Sequence, residues 1–206
     1  EEELKSLGKY GADKVLSVNT TEFSSYNNQA FASAIAESAK SENAEVVIIP
    51  NSFSGKGIAP RVAIKLNAGF VSAAVSLPDT SNGFMVRTGA YSGKAFTDVK
   101  ITSPVKVISI SANSYKVIEN LVECSVEMFS PSINASDFRV TVKDTIRASD
   151  KISLPEAELV VSGGRGLKGP ENWGMVEELA QLLGAATACS KPVSDSHWRQ
   201  IGRAHV

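Results

Sequence analysis

The run from Glu158 to Gly184 limits the fold more than any other, because a short apolar segment there meets a cluster of glycines and then an acidic, periodic segment. Leu159-Val160-Val161 is rich in β-branched residues and bounded by a turn signal, the pattern of a buried strand in a parallel sheet. Ser162-Gly163-Gly164-Arg165-Gly166-Leu167-Lys168-Gly169 follows, and Pro170 stands where a first helical position is expected. Trp173, Val176, Leu179, Ala180 and Leu183 then recur at helical spacing, and Gly184 supplies a stop. The predicted unit is strand, glycine turn, helix. Glycines let a backbone approach a phosphate, a helix start presents unpaired N–H groups to negative charge, and Arg165 would add a cation. Gly164, Gly166 and Gly169 also satisfy the spacing of a dinucleotide fingerprint. No carboxylate follows about 20 residues later at the end of a second strand, as that fingerprint requires. A glycine turn that binds nothing fits the same pattern.

Upstream, strand and helix signals alternate, which implies an α/β fold: a parallel-rich sheet with flanking helices. A helix is expected over Leu4 to Tyr10, stopped by Gly11, and a strand over Val15 to Val18. Asn27 or Asn28 caps a helix with Phe31, Ala34, Ile35 and Ala39 on one face. Val46 to Ile49 reads as a second buried strand. Next come a loop through Gly55-Lys56-Gly57 and a helix entered at Pro60 that carries Val62, Ala63 and Leu66. Neither that loop nor Gly93-Lys94-Ala95 meets the Walker pattern, so a loop that caps its helix is favoured over a nucleotide site at Gly55 to Gly57. From Val71 to Thr145 the texture is β. Strands are expected at Phe84 to Arg87, Ala95 to Ile101, Val105 to Ile110 and Val122 to Met128, and through the alternating Phe138, Val140 and Val142, all extending the first sheet. Asp144 to Pro155 is the expected linker.

With 206 residues, 43% of them hydrophobic, the chain can bury a core, and a net charge of -1 with dispersed Lys and Arg gives no nucleic-acid or anionic-membrane surface. Cys124 and Cys189 lack disulfide-framework or zinc spacing and read as reduced thiols of a cytoplasmic protein. No apolar run reaches the roughly 20 residues of a membrane helix, and no secretory signal is visible. No acid, base or nucleophile set stands out. Asp13, Glu45, Asp79 and Asp98 read as solvated, and His197 has no nucleophile motif beside it. Ile201 to Val206 reads as a non-native tail, so Arg203 and His205 are given no role.

Several stretches resemble one family. The run from Val160 to Lys168, with Glu177-Glu178-Leu179-Ala180, Leu183 to Ala186, Ser190, Asp195 and Trp198, is similar to the opening of the FAD-binding domain of electron transfer flavoprotein alpha subunits. Gly11 to Val15, Gly55-Lys56 with Ala59-Pro60-Arg61, and Tyr91 to Ala95 are similar to the first domain of the same subunit, a nucleotide-binding-like scaffold generally without nucleotide. Gly57 departs from the acidic residue common in that family, and Lys191 stands where arginine is usual, keeping the charge but losing the planar fork.

The resemblance implies a scaffold domain over 1–150, the first strand, turn and helix of a Rossmann-like FAD-binding domain over 151–200, and the tail at 201–206. It further implies a heterodimer with a beta subunit and one FAD. Electrons would come from dehydrogenases such as the acyl-CoA dehydrogenases of fatty acid oxidation and pass to a quinone reductase or another acceptor. Arg165 would lie against the flavin, with Gly163, Gly164, Ser190 and Lys191 as further cofactor contacts. In such a carrier the cofactor does the redox chemistry, so no catalytic residue and no metal are expected. A chain ending shortly after Trp198 is expected to hold FAD weakly. Two other readings stay open: a dehydrogenase domain with NAD at Gly164 to Gly169, and an ATP-binding module of the universal-stress type at Gly55 to Gly57.

Overall fold

The structure, a computed structural model, describes residues 2–145, 154 and 157–198. The expected tail at 201–206 and most of the expected linker lie outside the described residues. The chain divides into two compact units, 1–145 and 146–206. The elements of the first are α1 (Glu2–Lys5), β1 (Lys14–Ser17), α2 (Asn28–Ser41), β2 (Val46–Pro50), α3 (Phe53–Leu66), β3 (Gly69–Ala74), β4 (Phe84–Ala90), β5 (Ala95–Ile101), β6 (Lys106–Ile110) and β7 (Ser125–Met128). Those of the second are β8 (Val160–Gly163), α4 (Gly174–Leu183), β9 (Ala186–Cys189) and α5 (Lys191–Asp195).

In the first unit the main sheet runs β2-β6-β3-β4-β5. Parallel register places Ile48, Ile108 and Val71 side by side on its three-stranded part. Because side chains alternate across a strand, Val47, Ile49, Phe70 and Val107 face one way and pack with Ala32, Ile58, Ala59 and Val62 of α2 and α3. Val62 and Val107 are wholly buried, each worth about 1.5–3 kcal/mol relative to exposure. Val71, Ala74 and Ile108 pack with Val86 and Ile101 of the β4–β5 hairpin in a second cluster.

The hairpin joins the sheet through a single ladder pair, Ala74 with Thr88, beyond an irregularity in β3. There Ala73 takes a left-handed φ of 56°. The buried Ser109 hydroxyl accepts its N–H at 3.0 Å, and the Thr88 hydroxyl donates to Ser72 O at 2.8 Å, so the irregular backbone is satisfied.

Helix α2 is capped as its sequence suggests, and α3 by a residue that sequence reading did not single out. Asn27 accepts from the N–H groups of Gln29 and Ala30. At α3 the Ser52 hydroxyl accepts the Gly55 N–H at 3.1 Å. That cap starts α3 about two turns before the expected entry, so Pro60 lies inside the helix. The helix can begin there because residue 55 is glycine: a Cβ would stand 1.7 Å from Pro50 O.

Other expectations need correction. Leu4 to Tyr10 is a short α1 followed by a 3-10 turn, Ser6–Lys9, in which Gly8 is pressed against Val122 and Cys124. The strand expected from Val122 covers only β7, and β7 pairs in parallel with β1 in a separate two-stranded sheet, so it does not extend the main one. Strand β2 is not buried on both faces, because it is an edge strand with Ile48 58% exposed. Phe138, Val140 and Val142 form no strand. Ala135–Phe138 is a 3-10 turn, and its residues bond to α2 instead of to a sheet.

The group responsible is Asp137, only 6% exposed. Its carboxylate accepts from the Ser33 hydroxyl at 2.6 Å and the Gln29 amide at 3.2 Å, and Lys65 stands at 3.9 Å. Burial pushes this carboxyl up, but the bonds from Ser33 and Gln29, the Lys65 ammonium and a backbone contact at Asn134 together hold it below its ordinary value of 3.8.

Two outcomes follow. Gly55→Ala forces the start of α3 away from β2 and should cost about 3 kcal/mol or more, whereas Gly57→Ala, whose Cβ meets only the Asn28 side chain, should cost less; urea unfolding monitored by circular dichroism compares them. Because the folded Asp137 carboxyl titrates low, its stabilisation is complete above its ordinary value and is lost as pH falls through the folded value. Asp137→Asn should therefore be less stable than the wild type at pH 7, and the gap between them should narrow as pH falls below 3.8 in an acid-unfolding series.

Candidate cofactor site in the second unit

In the described part of the second unit, β8 and β9 pair in parallel, Val160 with Ala186 through Gly163 with Cys189. The expected strand at Leu159 to Val161 is thus real but not fully buried, with Leu159 54% and Val160 46% exposed. Sequence reading missed β9 as its neighbour. The signal was there in Ala186-Thr187-Ala188-Cys189 after the left-handed stop at Gly184, whose φ is 62°.

Parallel pairing brings the two strand ends level, so the loops leaving them are adjacent. Gly164 and Arg165 leave β8, and Ser190 and Lys191 leave β9. The Ser190 N–H donates to Gly163 O at 3.0 Å and ties the loops together. In open parallel sheets the crevice outside the carboxyl ends of neighbouring strands is where ligands sit.

The glycines divide into two kinds. Gly163 is buried, and a Cβ on it would stand 2.7 Å from Trp173 Cζ3 and 2.8 Å from Leu167 Cδ1, so its bareness serves packing. Beside Gly164 the nearest atom to an added Cβ is Ser190 Oγ at 3.8 Å, and beside Gly166 nothing lies within 4 Å. There the backbone is open to a ligand.

Arg165 is exposed, and its guanidinium makes no ion pair or hydrogen bond among the described residues. The Ser190 hydroxyl is likewise unengaged among them. Lys191, by contrast, pairs with Asp195 at 2.7 Å one helical turn on, which leaves it less free for a ligand. The structure therefore brings Gly163, Gly164, Arg165, Ser190 and Lys191 to one end of β8 and β9, with Arg165, Gly164 and Ser190 as the available groups.

The dinucleotide fingerprint does not lead into a helix. Arg165–Leu167 and Pro170–Trp173 are successive 3-10 turns, Lys168 between them is left-handed, and α4 starts only at Gly174. Pro170 begins the second turn instead of the α-helix, and Asn172 donates its side-chain N–H to Leu167 O at 2.8 Å to close the loop. Trp173, Val176 and Ala180 are buried as expected, while Leu179 and Leu183 are about half exposed. The buried indole N–H of Trp173 has no acceptor among the described residues, a feature no sequence signal announced.

In the first unit, Lys5, Ser6, Lys9, Glu119, Leu121 and Val122 line an open depression of about 540 Å³ away from the glycine loops. At Gly55 and Gly57 an added side chain would run into Pro50 O and the Asn28 side chain, and Tyr26 donates to Ser54 O at 2.9 Å. Gly93-Lys94-Ala95 belongs to the β4–β5 hairpin turn. An apolar cleft of about 90 Å³ lined by Ile48, Ala74, Leu77, Pro78, Ile110 and Tyr115 is too small for a nucleotide. Asp98 is held by Arg87 in a two-point ion pair and Asp79 accepts the Ser81 N–H, so both are structural. Among the described residues no group of three or more His, Cys, Asp or Glu could hold a metal, and no helix is long and apolar enough to cross a membrane.

Residues 1–135 match the family model of the electron transfer flavoprotein domain. The chain belongs to the electron transfer flavoprotein family. Residues 153–204 match a second model of the family, the electron transfer flavoprotein FAD-binding domain, and that match reaches into the stretch read as a tail. The chain is 30% identical over 195 residues to the electron transfer flavoprotein subunit alpha of Bacillus subtilis, covering 94% of this chain and 60% of that protein. It is 31% identical over 210 residues to the subunit alpha of Thermoanaerobacterium thermosaccharolyticum, covering 97% and 63%. With Protein FixB of Clostridium saccharobutylicum it shares 27% over 202 residues, covering 96% and 60%. The chain thus spans about 60% of the length of the curated relatives it matches. Nothing in these relationships favours a dehydrogenase domain or a universal-stress module.

Gly163→Ala should push Trp173 out of its place and destabilise the second unit by about 1–3 kcal/mol, while Gly166→Ala, with open space around it, should be nearly neutral. Chymotrypsin cleavage rates within residues 157–198 distinguish the two.

Proposed function

We propose that the ends of β8 and β9 hold part of an FAD in an electron carrier of the alpha-subunit type. The observation that carries this reading is the placing of Gly164, Arg165 and Ser190 just beyond the carboxyl ends of two adjacent parallel strands, with open space beside Gly164 and Gly166. The bound flavin would supply the redox chemistry, taking and giving up electrons that the polypeptide's own groups cannot store. Arg165 would place an unshared positive charge beside the ring system, favouring electron density there. Gly164 would let the backbone come close, and the Ser190 hydroxyl would donate to a cofactor oxygen. Lys191, shared with Asp195, would contribute less. Gly163 would act through Trp173, keeping the two loops in register.

In this reading the first unit is a scaffold without bound nucleotide. The whole carrier would pair with a beta subunit in the cytoplasm, accept electrons from dehydrogenases such as acyl-CoA dehydrogenases, and deliver them to a quinone reductase or another acceptor. The boundaries at 1–150 and 151–200 would separate scaffold from cofactor part.

A two-strand crevice touches a ligand the size of FAD on one side, so the 206-residue chain should bind it weakly. It should purify with much less than one flavin per chain; stoichiometric yellow protein would defeat that expectation. Titration of FAD followed by flavin fluorescence should show saturation, with Arg165→Ala weakening binding at least tenfold, as expected for the loss of a charge-assisted contact. Lys191→Ala should weaken it less. Equal binding by wild type and Arg165→Ala would remove Arg165 from the site.

A further inference from the structure

Asn82-Gly83 is the only Asn-Gly pair in the chain, and it lies in a loop whose ends are clipped together. Asp79 and Met85 exchange backbone hydrogen bonds, each N–H donating to the other's carbonyl at 2.9 Å, and the Asp79 carboxylate accepts the Ser81 N–H at 2.8 Å. Inside that clip Asn82 and Gly83 are both exposed. The Asn82 side-chain amide makes no hydrogen bond among the described residues, and Gly83, which precedes β4, bridges only Ser81. No ladder bond of the sheet has to break for these two residues to rearrange.

Gly83 also has a cation beside it. Lys100 stands opposite Met85 in the β4–β5 register, on the face that Met85 shares with Gly83. Its Cε and Nζ come within 2.5 and 3.0 Å of where a Cβ on Gly83 would be, which puts the ammonium within roughly 6 Å of the Gly83 nitrogen. That ammonium makes no ion pair among the described residues. Gly83 takes a φ of 96°, and no side chain of its own shields its nitrogen.

We propose that Asn82 is a self-modification site, at which the Gly83 nitrogen attacks the Asn82 side chain and the amide becomes a carboxylate. Gly83 gives up its amide proton to solvent base, its nitrogen bonds to Cγ of Asn82, and the Cγ–Nδ2 bond breaks as ammonia leaves, closing a cyclic succinimide. Water then opens the ring. Breaking the new N–Cγ bond leaves aspartate, and breaking the original peptide bond leaves isoaspartate, with the main chain running through the former side chain. Amide and water are exchanged for carboxylate and ammonium, and no oxidant or reductant takes part. The Lys100 ammonium favours the nitrogen anion that attacks, and the Asp79–Met85 clip confines the lengthened main chain to the loop. The site does not rest on the flavin reading, because every group involved belongs to the first unit.

The test incubates the folded full chain in mildly alkaline, low-salt buffer and follows each asparagine by peptide mass mapping, with enzymatic methylation of isoaspartate as a second readout. Asn82 should convert at least tenfold faster than any other asparagine, because it alone is followed by glycine, and isoaspartate should be among its products. Lys100→Gln should slow the conversion about threefold, the effect of one charge at that distance in water, and Lys100→Arg should restore it. The difference should close in high salt and in urea, where Lys100 is no longer held beside Gly83. Circular dichroism confirms that the variants are folded, and Lys100→Met repeats the test should Lys100→Gln not fold. Conversion of Asn82 no faster than that of the other asparagines overturns the site. Equal rates in folded wild type and folded Lys100→Gln overturn the part given to Lys100, and so does a slowing that persists unchanged in urea.

Discussion

The first unit depends on a close approach. Helix α3 starts against the end of β2 because residue 55 carries no side chain, and the helix pair α2 and α3 then seals one face of the parallel strands through alanines and valines. The same closeness fixes the residue type: Pro50 O and the Asn28 side chain stand where side chains at positions 55 and 57 would project.

The second unit makes the opposite choice with the same residue type. Gly163 is filled by Trp173, but Gly164 and Gly166 face open space, and the turn after them is prolonged by two 3-10 segments before α4 begins. The glycines therefore shape a loop beside the strand ends and do not aim a helix at a diphosphate. Arg165, two residues past the strand and without a partner among the described residues, is the group this loop presents.

Much of this was readable beforehand, for identifiable reasons. Caps and stops are local chemistry, so Asn27 and Gly184 were found from their immediate neighbours. Strand positions from Phe84 to Ile110 followed from β-branched and aromatic content. What failed was whatever depends on distant partners. Phe138, Val140 and Val142 alternate like a strand, but Asp137 is claimed by Ser33 and Gln29 about a hundred residues earlier, and no local pattern shows that. Pro60 looked like a helix start because proline is tolerated there, yet the Ser52 cap had already begun the helix. In the cofactor region the residues were legible and their division of labour was not. Lys191 was already the weaker candidate for want of a planar fork, but its pairing with Asp195 was not visible, and Gly163 looked like Gly164 until Trp173 was found behind it.

Both tryptophans of the chain, Trp173 and Trp198, belong to one apolar cluster of the second unit, and the first unit has none. Indole emission therefore speaks for the second unit alone and is blind to the first. A buried indole whose N–H lacks a partner emits toward the blue, and an isoalloxazine seated nearby would drain that light. The molecule thus carries its own optical gauge of whether its second unit is folded.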